Sequence, residues 1–191
     1  MLPVSALAYD YGGQTYNDTD YNTLLAFLEH DGGGGKNGEI LNPGVYDPLD
    51  PQTWAGVMWY GTTTKRAIEI NFDSTGVAGD LDLSGMDALD IVGIGNNSGI
   101  TSLDVTGCTS LRHLNLNFCA ITALDVSSCG ALVTLLCTDN ALTSLTLGTH
   151  NDLSSLQSWN NAITALDVSG CPALLYLHCQ YNALELSLIH I

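Results

Sequence analysis

The sequence predicts a solenoid, α/β or mainly β, in which short stacked repeats share one continuous core, and three observations predict it. A leucine recurs every 21 residues, at Leu111, Leu132, Leu153 and Leu174, each followed three places on by another, at Leu114, Leu135, Leu156 and Leu177. The register then continues: Leu116, Cys137, Ser158 and Cys179 stand five places from each start and Cys119, Asn140, Asn161 and Asn182 eight, giving L-x-x-L-x-[LC]-x-x-N. The second half of each complete unit restates the motif, at Ile121, Leu124 and Val126, at Leu142, Leu145 and Leu147, and at Ile163, Leu166 and Val168. A unit this short cannot bury its own apolar side, so only stacking closes the core.

This pattern resembles the leucine-rich repeat family, and the 21-residue unit with a nested second half is similar to a bacterial class of it. Two looser 22-residue units stand upstream, at Ala67, Ile70, Phe72 and Val77, and at Leu89, Val92, Ile94 and Asn97. The resemblance implies a right-handed superhelix with parallel β-strands and an N-terminal helical cap.

Taken in order, MLPVSALA ends in the small-x-small triplet Ala6-Leu7-Ala8, the form of a signal-peptide cleavage site. Residues 1–8 are read as the remnant of a secretion signal, with a mature start near Tyr9 and a secreted or cell-surface location. The N-terminal cap occupies 9–66. Within it, Asp18 or Asp20 can N-cap a helix near 20–30 that Leu24, Leu25, Phe27 and Leu28 suggest. A Gly/Pro/Asn-rich stretch over 31–53 reads as a mobile loop. Its run Gly32 to Gly35 lacks the Lys-Ser/Thr ending of a phosphate loop. The order LLAF, Trp54-Ala-Gly-Val-Met-Trp59, then Lys65-Arg66 before the first strand resembles the cap of plant-type leucine-rich-repeat proteins. The cysteine pair such caps usually carry has no counterpart before Cys108. Trp54 and Trp59 are expected to cover the first rung, whose leucines would otherwise meet water. The repeats fill 67–185. The last six residues, 186–191, break the repeat and resemble the translation of a transposase adapter sequence, so they are read as a non-native tail.

Repeat position assigns the polar residues their roles. Cys108, Cys129 and Cys171 share one column, Cys137 and Cys179 another, and Cys119 stands in the asparagine column. Packing as small hydrophobes accounts for all of them, and no C-x-x-C pair with zinc spacing occurs. A bridge between Cys108 and Cys129 is the alternative, since rungs stack about 4.8 Å apart, although parallel side chains run alongside one another. Asn140, Asn161 and Asn182 are expected to turn inward and bond main-chain groups of the bend after each strand. Asp82, Asp104, Asp125 and Asp167 form an exposed row whose carboxylates bond nearby turn amides, with a calcium stripe as the alternative.

Because the leucines face the core, the residues between and beside them face out. This places His113, Asn115, Asn117, Leu136, Thr138, Gln157, Trp159, Tyr176, His178 and Gln180 on one variable surface, the candidate ligand-binding face, with Tyr181 beside its aromatic end. His113 and His178 stand three rungs apart, roughly 14 Å at strand spacing, too far to share a metal or a proton. No nucleophile, base and orienting acid fall together, so no enzyme, catalytic residue, metal or cofactor is expected. Net charge is −16 with four basic residues, which disfavours nucleic acid and anionic membranes, and no stretch approaches a membrane span. The expected role is recognition of a protein ligand, with a glycan-binding module or a structural spacer of a larger surface protein as alternatives.

Overall fold

The computed structural model describes residues 9–185 and the backbone of 189–190. Residues 1–8, expected to be a secretion-signal remnant, and residues 186–188 and 191 of the expected non-native tail lie outside them. The chain enters through an antiparallel hairpin, β1 (Tyr9–Tyr11) against β2 (Gln14–Tyr16), followed by helix α1 (Asp18–Leu28). The helix is capped by Asn17 rather than by Asp18 or Asp20: Asn17 Oδ1 accepts from the Asp20 N–H at 3.1 Å. Asp20 is fully buried and serves a distant partner, accepting from Arg66 Nε at 2.8 Å and from the Ala67 N–H at 2.9 Å. A buried carboxylate is stable only when its oxygens are paired, and this pairing ties the cap helix to the first rung.

The stretch 31–53, expected to be a loop throughout, carries a short helix, α2 (Asn37–Leu41), and a 3-10 turn at Pro51–Thr53. Buried Asn37 supplies the reason. Its amide donates to the carbonyls of Phe27 and Ala78 and accepts from the Ala78 N–H at 3.0 Å, so α1, α2 and the repeats are joined through one side chain. Trp54 is buried beside Tyr21 with ring centroids 5.0 Å apart, and Trp59 packs edge-on to Tyr16 at 5.0 Å. Both indole N–H groups find main-chain carbonyls, those of Asp47 and Pro51, as buried indoles require.

From β3 (Val57–Tyr60) the chain turns back antiparallel into β4 (Thr64–Asn71), and the solenoid begins. Strand β4 is followed by β5 (Ala78–Asp82), β6 (Ile91–Gly93), β7 (Gly99–Asp104), β8 (His113–Asn115), β9 (Ala123–Asp125) and β10 (Thr134–Leu136). Then come β11 (Ser144–Thr146), β12 (Ser155–Gln157), β13 (Leu166–Asp167) and β14 (Tyr176–His178). The even-numbered strands from β4 to β14 form one parallel sheet, with Ile70, Val92, Leu114, Leu135, Leu156 and Leu177 in successive register. The odd-numbered strands carry the second half-repeat in two-stranded pairs, β5 with β7 and β9 with β11. In the tail, β15 (Ile189–His190) pairs in parallel with β13. The predicted repeat leucines fill the space between the two strand sets, with Leu111, Leu132, Leu135, Leu153 and Leu156 fully buried.

Each bend is held by an amide ladder. Asn140, Asn161 and Asn182 donate to the carbonyls of Leu116, Cys137 and Ser158 at 2.8 Å and accept from the N–H groups of Ile121, Leu142 and Ile163. Asn97 continues the column, and Cys119, standing in for asparagine, donates its thiol to the Ile94 carbonyl at 3.2 Å. One residue per rung, Ser74, Asn96, Phe118, Asp139, Asn160 and Tyr181, adopts a left-handed conformation with φ between 53 and 58°. Asn and Asp tolerate it readily, whereas Phe118 and Tyr181 do not and are held there by their rungs.

All six cysteines are free thiols. Cys108 and Cys129 donate separately to the carbonyls of Leu83 and Val105. Burial pushes the Cys108 and Cys137 thiols up to about 12 and Cys129 up to about 11. The aspartates of the second half-repeat bond locally: Asp82, Asp104, Asp125 and Asp167 each accept from the main-chain N–H two residues on.

Candidate functional site

In-register pairing turns single residues into columns on the outer face of the parallel sheet. One column is Glu69, Ile91, His113, Thr134, Ser155 and Tyr176, and the next is Asn71, Gly93, Asn115, Leu136, Gln157 and His178. His113, Asn115, Leu136 and Gln157 are partly exposed, and Tyr176 and His178 on the last strand are exposed. His113 and His178 lie three strands apart in the sheet order.

The third column follows a different rule because it sits in the turn after each strand. Here Asp73 Oδ1 accepts from the Gly95 N–H at 2.5 Å, and Asn117 Oδ1 accepts from the Thr138 N–H at 2.8 Å. Each side chain therefore leans along the stack onto the next rung. Thr138, expected outside, is buried at 2 % exposure, since its hydroxyl also donates to Asn117 Oδ1 at 2.9 Å. It is removed from the surface. Asn117 and Trp159 remain partly exposed and Gln180 exposed. At the C-terminal end the exposed aromatic surface is Tyr176 at 63 % and Tyr181 at 77 %.

A depression of about 250 Å³ opens in this face toward its N-terminal half, away from the aromatic end. It lies where the second rung of the columns places a glycine, Gly93, at an outward position between the bulkier Asn71 and Asn115. A Cβ added at Gly93 would stand 3.2 Å from Asp73 Oδ2, and one at Gly95 3.2 Å from Asn115 Nδ2. His113, Asn115 and Leu136 of the expected face line the depression, together with Asn71, Asp73, Ile91 and Thr134. These four stand in the same outward slots of the repeat, beyond the residues assigned from sequence to the candidate ligand-binding set. The readable signal was Gly93, since an outward glycine in a column of side chains leaves a gap.

Electrostatically the face is acidic and weakly compensated. Arg112 at its edge is committed to Asp90, in a two-pronged contact of 2.7 and 2.6 Å that holds the Asp90 carboxyl below the usual carboxylate range. Among the described residues no group of three or more His, Cys, Asp or Glu side chains is placed to hold a metal ion. No described helix is long and apolar enough to cross a membrane. No protein-family model matches the chain, and no curated protein matches it.

Proposed function

We propose that the chain is a leucine-rich-repeat recognition module, secreted or cell-surface, that binds a protein ligand through the outer face of its parallel sheet and catalyses no reaction. The family assignment rests on L-x-x-L-x-[LC]-x-x-N together with the asparagine ladder that this motif builds. The export reading rests on the Ala6-Leu7-Ala8 triplet. The observation that carries the binding reading is the face itself. Six strands in strict register display side chains of unlike chemistry at equivalent positions, above a core that hardly varies. Extended surfaces of this form suit a protein partner, because contacts spread over many rungs and few of them are needed as anchors. Trp159, Tyr176, Gln157 and Gln180 would supply such anchors and their polar neighbours.

A glycan ligand is the second reading, favoured by exposed Tyr176 with His178 and Gln180 nearby, an aromatic platform flanked by hydrogen-bonding groups. One experiment separates the two. A photo-crosslinking amino acid at Gln157, on the face, is expected to capture a protein adduct from the native extracellular milieu, and the same group at Asp125, on the opposite strand set, is not. Equal adducts at both positions, or none, would sink the face as the site. A glycan-array signal abolished by Tyr176→Ala would replace the protein ligand with a sugar.

A further inference from the structure

We propose that the depression above Gly93 is a socket for a cationic side chain, lysine or arginine, presented by the partner that the face binds. The inference rests on the face-binding reading and adds the chemistry of its anchor. Three features converge on it. The cavity, about 250 Å³, is smaller than the several hundred cubic ångströms usual for free small-molecule ligands and of a size for one long side chain. Its walls are apolar on one side, from Ile91 and Leu136, which suits an alkyl stem. Its polar end is the Asp73 carboxylate, with the amides of Asn71 and Asn115 beside it.

Asp73 is placed as an acceptor that the protein leaves without a counter-charge. Oδ1 takes the Gly95 N–H at 2.5 Å and Oδ2 only a long contact from Asn115 Nδ2 at 3.4 Å. These fix the carboxylate in position without neutralising it. The chain's four basic side chains are all engaged elsewhere. Lys36 is on Glu29, Arg66 on Asp20 and Asp87, Arg112 on Asp90, and Lys65 on the Gly61 carbonyl. Glu69, the register partner of Ile91, adds a second carboxylate to the same face. The net charge of −16 attracts a cation to the molecule as a whole, and the socket offers it an oriented acceptor in a recess where water screens less.

The probe is Nα-acetyl-lysine methylamide, compared with Nα-acetyl-norleucine methylamide, which has a similar stem and no charge. Binding is followed by the amide NMR signals of Gly93 and Gly95 in about 0.15 M salt, where diffuse attraction is screened beyond about 8 Å. Saturable shifts at both glycines are expected for the lysine probe, with millimolar affinity on the order of what so few atoms allow. The norleucine probe and the Asp73→Asn variant are each expected to bind about tenfold more weakly, the loss of one charge-assisted contact. Asp73→Asn keeps an acceptor for the Gly95 N–H. Gly93→Ala, whose Cβ would press on Asp73, is expected to block the socket by volume instead. Equal response to both probes, an unchanged response in Asp73→Asn, or no shift at these glycines overturns the proposal. Face-specific cross-linking at Gln157 reports separately, so a partner captured there without any response at Gly93 and Gly95 overturns the socket alone.

Discussion

Asn117 Oδ1 accepts from both the main-chain N–H and the hydroxyl of Thr138, at 2.8 and 2.9 Å, and this pair draws Thr138 out of the surface into the stack. A residue that alternation assigns to the ligand face thereby becomes part of the joint between two rungs. Thr138→Val preserves shape and removes the hydroxyl, and is expected to cost about 1 kcal/mol in chemical denaturation, the usual worth of one such bond. It is expected to leave ligand capture unchanged. A loss of binding at unchanged stability would return Thr138 to the face.

Core register is tested by neighbours. Leu135 is fully buried and Thr134 next to it is partly exposed. Leu135→Ala is expected to destabilise by about 2–5 kcal/mol and Thr134→Ala by under about 0.5 kcal/mol. Similar losses would contradict the strand register.

The cysteines are expected to behave as packing groups. Protein unfolded without reductant is expected to titrate close to its six thiols. The folded protein is expected to react far more slowly, because burial holds Cys108 and Cys137 near 12 and the thiolate is the reactive form. Four or fewer thiols in the unfolded chain would indicate a bridge, with Cys108 and Cys129 the pair to map.

His150 provides a pH dependence. It lies 21 residues from both Cys129 and Cys171 and so occupies the cysteine column, fully buried, with neither ring nitrogen hydrogen-bonded. Burial lowers its pKa below the ordinary 6.5, and the nearby backbone of Leu147 and Cys129, short of hydrogen-bond geometry, opposes this only in part. As pH falls the unfolded chain takes up this proton first. The stabilisation is therefore complete above pH 6.5 and is lost as pH drops from there through the folded pKa. Carboxylates held low, such as Asp90 and Asp125, lose their contribution in a separate, more acidic window. Melting temperature is expected to fall as pH drops below the ordinary histidine value of 6.5, and to fall less in His150→Cys, which restores the column's own residue. Identical slopes in the two proteins would remove His150 as the cause.

The sequence by itself determined whatever repeats. Contacts between equivalent positions recur every 21 or 22 residues, so one period read from Leu111 to Leu184 yields the rungs, the buried leucines, the asparagine ladder and the strands' outward positions. Local spacing suffices there because each rung touches chiefly its neighbours. Tertiary structure alone decided what breaks the period. Asp20 meets Arg66 across 46 residues, and Asn37 meets Ala78 across 41, in a cap that has no repeat to read. Thr138 turned inward because a turn residue answers to the hydrogen bonds of the next rung, where strand alternation no longer holds. The depression above Gly93 depends on volume: the outward glycine marks the place in sequence, but how deep Asp73, Ile91 and Asn115 leave it is a matter of packing that the letters do not record.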